Sequence, residues 1–162
     1  MKKLISVLLL ACIVMTFAAG CDSISDFLTP ADKTFTKSGM SITLTEEFAE
    51  KEYVSYTSTY ESTDIAVYTL KEEFTLFGGV DYSLDAYTDL VIFANGMSEQ
   101  VQHKDGLTYF TYQQDVNGKS FQYYAFTYKG EDAYWLIQFA CTQDNSSKLE
   151  SDIFQYAKSV EV

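Results

Sequence analysis

Apolar residues fall on every second position through much of this chain, and two stretches break that rhythm. The alternation begins at Thr34-Phe35-Thr36-Lys37 and resumes after Ser38-Gly39 in Met40-Ser41-Ile42-Thr43-Leu44. A period of two puts successive side chains on opposite faces of a pleated strand, so these runs predict a pair of strands joined by a turn. Residues 46–52 read as a charged loop or short helical turn around Phe48, and residues 53–60 and 63–70 as two more strands. The period changes at Asp81-Tyr82-Ser83. Beyond it Leu84, Tyr87, Val91 and Ala94 repeat at helical spacing, with Leu90 and Phe93 widening the stripe. Asp81 or Ser83 would cap this helix and Asn95-Gly96 would end it. A strand near 101–104 should follow.

Asp115-Val116-Asn117-Gly118-Lys119 carries the strongest local signal. Asn-Gly supplies the two positive φ angles of a two-residue hairpin loop. Folding about it pairs Val116 with Lys119, Tyr112 with Tyr123 and Phe110 with Ala125. One face then collects Phe110, Tyr112, Phe121 and Tyr123, and the other Tyr109, Tyr124 and Phe126. Either a helix covers each face or one face is a binding surface. A last strand over Ala133–Thr142 leads to a closing helix, with Ser147 and Glu150 at capping-box spacing. Leu149, Ile153, Tyr156, Ala157 and Val160 form its apolar stripe. The order of strands, helix, strands, helix predicts a single α+β domain: an antiparallel sheet packed by two main helices.

The first twenty residues obey neither period. Lys2 and Lys3 precede an apolar run from Leu4 to Ala19, and Ala18-Ala19-Gly20 leads into Cys21. Positive charge, grease and small residues in that order make a secretory signal, and the run is shorter than the roughly 20 residues of a membrane span. Ala18-Ala19-Gly20-Cys21 resembles the bacterial lipobox, with Ala where that motif usually has Leu. The resemblance implies that Cys21 is acylated on sulfur and becomes the mature N-terminus. The expected organisation is a signal peptide at 1–20, the acylated Cys21 with a flexible tether to residue 33, and one domain over 34–162.

Charge narrows the partners. The chain has 11 basic and 23 acidic residues, a net −12, and every basic residue is lysine. Loss of Lys2 and Lys3 with the signal would bring it to −14. Nucleic-acid affinity rests on neutralising phosphates, so this composition excludes that class and offers no arginine clamp for phosphate. An anionic lipid surface would repel the domain, leaving acyl chains to supply membrane affinity. Of three cysteines, Cys12 leaves with the signal and Cys21 is lipidated. Cys141 is left alone in the alternation Trp135, Ile137, Phe139, Cys141, where a free thiol packs as a small hydrophobe.

Several of these elements together resemble a family. They are the Gly39-Met40-Ser41-Ile42-Thr43-Leu44 start, the helix after Tyr82-Ser83-Leu84 and the Asn117-Gly118 hairpin, then the Tyr134-Trp135-Leu136-Ile137-Gln138-Phe139 strand and the closing helix. Over residues 34–162 the chain is similar to small bacterial lipoproteins, of the Gram-positive kind, with a PsbP-like fold. The resemblance implies an antiparallel sheet between helices and protein docking rather than catalysis. It brings no catalytic motif.

Candidate chemistry is thin. His103 is the only histidine and lies in Gln102-His103-Lys104-Asp105-Gly106, a polar run ending in a turn. Any Ser-His-Asp or Cys-His mechanism would need it. No nucleophile elbow, phosphate-binding glycine loop or zinc-type cluster occurs. Asp81, Asp85 and Asp89 recur every four residues and could converge on calcium, or simply complement the helix dipole. Tyr109, Tyr124, Tyr128 and Tyr134 could leave an exposed aromatic cluster on the sheet for protein contact, or could be core beneath the helices.

The reading that results is a lipoprotein on the extracytoplasmic face of a bacterial cell membrane, held by lipid on Cys21. Its domain is expected to be a non-catalytic protein-binding or assembly module without a cofactor. A small-ligand or calcium-binding lipoprotein is the alternative class, and a hydrolase the third.

Overall fold

A computed structural model of the chain describes residues 30–162. The expected signal peptide, Cys21 and the tether as far as residue 29 lie outside the described residues.

A first hairpin joins β1 (Asp32–Lys37) to β2 (Met40–Thr45) through Ser38 and Gly39, both at positive φ. Then come β3 (Ala49–Lys51), β4 (Ser58–Glu61), β5 (Ala66–Glu73), a 3₁₀ turn at Phe74–Phe77 and helix α1 (Leu84–Ala94). The second half runs β6 (Gln102–Lys104), β7 (Leu107–Val116), β8 (Lys119–Lys129), β9 (Ala133–Thr142) and helix α2 (Ser146–Lys158). Strands β3 to β9 form one antiparallel sheet in the order β3-β4-β5-β9-β8-β7-β6, while β1 and β2 form a separate two-stranded sheet whose Ser41 is bridged to Glu161 near the C-terminus. The protein is therefore a single α+β domain with two main helices, the antiparallel sheet between helices that the resemblance implied.

The Asn117-Gly118 loop sets the register of the central hairpin. Val116 faces Lys119, Tyr112 faces Tyr123 and Phe110 faces Ala125, as the two-residue loop dictates. Two separate cores follow from the alternation. On one face Tyr109, Tyr124 and Phe126 pack with Trp135, Ile137 and Phe139 beneath α2 and the β1–β2 hairpin. On the other, Phe110, Tyr112, Phe121 and Tyr123 belong to a core shared with Tyr87, Val91 and Ile92 of α1.

Several sequence expectations change, and one alternative is decided. Residues 53–57 form a loop, so the strand expected over 53–60 shrinks to β4, and the expected loop 46–52 contains β3. Helix α1 buries Tyr87, Thr88, Val91 and Ile92, while Phe93 is 82% exposed. Ser83, not Asp81, caps it, accepting from the Ala86 amide at 3.2 Å. Helix α2 has no capping box: its N-cap is Asn145, without a side-chain cap bond, and Glu150 turns away to Lys104.

Candidate functional site

The tyrosines expected to form an exposed cluster are core. Tyr109, Tyr124 and Tyr134 are 9%, 7% and 0% exposed, which corrects the expectation of a surface patch. Tyr128 is half-buried, and its hydroxyl donates to the Ala157 carbonyl at 2.7 Å, closing α2 onto β8. The physical reason is that both sheet faces carry a cover, so alternation fills two cores and leaves no bare face beneath either helix.

Tyr134 is instead the floor of an aromatic box. It stacks on Tyr87 at 4.3 Å, with Phe77 edge-on to both and Phe74 edge-on to Tyr134. Lys129 closes the box from outside: its Nζ lies 5.7 Å from the Tyr134 ring centroid and 6.0 Å from Phe74. The same ammonium binds Asp81 Oδ1 at 2.5 Å and the Tyr82 carbonyl at 3.1 Å. Cation–π contact and ion pair together pin the 74–83 loop to the end of β8.

That pairing separates the three aspartates. Asp81 is taken by Lys129, Asp85 faces His103, and Asp89 is exposed one turn further along α1. No group of three or more metal-ligating side chains converges among the described residues.

His103 stands between a carboxylate and a hydroxyl. Its Nε2 is 3.4 Å from Asp85 Oδ2 and its Nδ1 is 3.3 Å from Thr108 Oγ1. The order Asp-His-Thr is that of a catalytic relay, but the hydroxyl that would attack belongs to a residue only 7% exposed. The imidazole and the Asp85 carboxylate are each more than half exposed, where water screens their attraction. The arrangement ties the first turn of α1 to β6. Cys141, fully buried, has its thiol pushed up to about 11 by burial, against the thiolate needed for nucleophilic work.

Sequence reasoning missed a trough along α2. Beside the β6–β7 turn, residues of α2 border a depression of about 540 Å³. A second depression of about 250 Å³ lies over β7 and β8, and Glu150 and Phe154 border both. In the first, Lys104 stretches over the Phe154 ring at 4.1 Å to reach Glu150 Oε1 at 3.2 Å, and Lys158 reaches Asp105 Oδ2 at 2.7 Å. In the second, Glu150 is the one charged residue among Gln102, Thr111, Gln122 and the edges of Tyr109 and Tyr124. Burial, and next the charge of Glu150, push the Tyr124 phenol up to about 12. The only sequence hint was Asp105-Gly106, a two-residue hairpin loop with φ of 56° and 82°.

The trough ends at an open strand edge. Strand β6 pairs with β7 only from Leu107 to Tyr109. In the β7–β8 hairpin the two-residue loop makes Val116–Lys119 a hydrogen-bonded pair, so 114, 112 and 110 also turn their backbone groups to β8. Thr111, Gln113 and Asp115 therefore turn their N–H and C=O groups to the outer side. No backbone partner meets them there among the described residues.

No family model matches the chain, and no curated protein matches it either. Solved structures do. The Ran-binding protein Mog1p of Saccharomyces cerevisiae aligns at a TM-score of 0.53 and 10% identity, over 83% of this chain and 96% of that one. A Bacteroides thetaiotaomicron protein aligns at 0.54 and 8% identity over 83% of this chain, which spans 49% of its length. The likeness is one of fold. Cyanobacterial PsbP (CyanoP) from Synechocystis aligns at 14% identity over 87% of this chain and 98% of that one, with a TM-score of 0.45.

Proposed function

We propose that the chain is a lipoprotein of the extracytoplasmic face of a bacterial membrane, anchored by lipid on Cys21, whose domain is a non-catalytic protein-binding module. The observation that carries the anchor is the N-terminal order of Lys2-Lys3, an apolar run and Ala18-Ala19-Gly20-Cys21. Two acyl chains bind a membrane durably where one does not. The module reading is supported by a fold shared with Mog1p, itself described as Ran-binding, and by an Asp85–His103–Thr108 relay whose hydroxyl is buried. A mature chain of −14 held by lipid rather than by charge keeps its surfaces in water and free to meet partners.

Cell fractionation tests the anchor. The wild-type chain belongs in the membrane fraction and labels with fatty-acid precursor. Cys21→Ala should release it and abolish the label. A Cys21→Ala chain that stays membrane-bound would end the reading. Cross-linking on intact cells tests the module, with discrete adducts expected and their absence counting against it.

A further inference from the structure

We infer that the open edge of β7, from Thr111 to Asp115, receives an extended basic peptide segment of a protein partner as an added antiparallel strand. The inference rests on the binding-module reading and names the surface and partner chemistry for it.

Unpaired edges invite further strands, and folded proteins usually blunt them with proline, lysine, bulges or a cover. This edge reads Thr111-Tyr112-Gln113-Gln114-Asp115, with neither proline nor lysine. Its pairing with β8 is continuous, without a bulge. An added strand would prolong β6 along the line that β6 abandons at Gln102. Its residue opposite Thr111 would make both of its backbone hydrogen bonds to Thr111. The same residue would send its side chain to the α2 face, into the depression bordered by Tyr109, Tyr124 and Glu150. Backbone pairing supplies affinity in such complexes and alternate side-chain pockets supply selectivity.

Charge chooses the occupant. Glu150 is the one charged group bordering that depression, and Asp115 lies exposed further along the same face. The Glu150 pair with Lys104 is half-exposed, so the carboxylate is shared at little cost. A second copy of this chain would bring two domains of net −12 edge to edge, which repulsion opposes. A lysine or arginine on every second residue satisfies both the pocket and the field.

The test uses the full acylated chain in detergent and a fluorescent peptide alternating lysine and threonine, read by anisotropy at low salt. In an antiparallel pair the residues facing the trough are also those bonded to Thr111 and Gln113. N-methylation of the peptide's lysines should therefore weaken binding at least about tenfold, while N-methylation of its threonines leaves it nearly unchanged. This comparison alters only the peptide, so protein folding is not at issue. Glu150→Gln should weaken binding several-fold, and Gln113→Pro should abolish it where Gln113→Ala does not. Equal sensitivity to both methylation patterns, the reverse order, or no binding at all would each overturn the edge assignment. Discrete surface cross-links persisting after such a failure would leave the module reading standing with another face.

Discussion

The Tyr87 hydroxyl donates to Glu72 Oε2 at 2.7 Å, joining the first turns of α1 to the far end of β5. Burial raises the Glu72 carboxyl above its ordinary value of 4.5, and the Tyr87 bond only partly opposes that. A carboxyl raised in the folded state binds its proton more tightly there than in the unfolded chain. Its contribution to stability is thus complete below the unfolded value and is lost as pH rises through the folded one. Glu72→Gln keeps an acceptor for Tyr87 and removes the charge. The variant should match wild type at about pH 4 and melt at a higher temperature toward about pH 7. Paired thermal melts across that range check it, and equal melting temperatures throughout would contradict the buried-acid account.

Two buried tyrosines should respond to the same substitution in opposite ways. The Tyr134 hydroxyl donates to the Tyr82 carbonyl at 2.7 Å, and the Tyr112 hydroxyl is buried with no partner among the described residues. Tyr134→Phe should cost about 1 kcal/mol, since Lys129 still serves the Tyr82 carbonyl. Tyr112→Phe removes a desolvated hydroxyl that gains nothing, and should be neutral or stabilising by up to about 1 kcal/mol. Urea titration of the two variants would show the split.

Helix α1 tests how its apolar face was chosen. Ile92 is 5% exposed and its neighbour Phe93 is 82% exposed. Ile92→Ala should cost about 2–4 kcal/mol, and Phe93→Ser should stay within about 0.5 kcal/mol. Denaturant midpoints decide it, and a large loss at Phe93 would mean that the helix is rotated.

The exposure of Phe93 shows where sequence pattern stops. Leu84, Tyr87 and Val91 mark the face correctly, but Phe93 and Thr88 invert the hydrophobic ranking. Thr88 goes inside because its hydroxyl has partners there, the Leu84 carbonyl and Thr127. Periodicity counts apolar side chains and cannot see such a pair. The β7–β8 hairpin was fully legible because Asn117 and Gly118 fix its loop, and the loop fixes every later pairing. Burial of Tyr109, Tyr124 and Tyr134 was not, since alternation assigns a residue to a face without saying whether that face is covered. The trough was illegible for a further reason. Its defining pair, Lys104 and Glu150, is separated by 46 residues and meets only once α2 folds back over the sheet.

Cys141 was legible as core, and its chemistry follows from the packing. Among the described residues the thiol's one hydrogen-bond acceptor is the Gln122 carbonyl, at 4.0 Å, and burial, then the charge of Asp64, push it up to about 11. At about pH 8 the thiolate is then roughly one part in a thousand, and reagents must also wait for the strand to open. Native protein should alkylate slowly at Cys141 and fully once denatured, as peptide mapping after iodoacetamide would read. The same geometry orders two substitutions. Cys141→Ala loses one buried sulfur and should cost about 1 kcal/mol. Cys141→Ser places a hydroxyl where its only acceptor is beyond hydrogen-bond reach, so it should cost about 1–3 kcal/mol. Serine proving milder than alanine would mean that β9 is wetter than its burial implies.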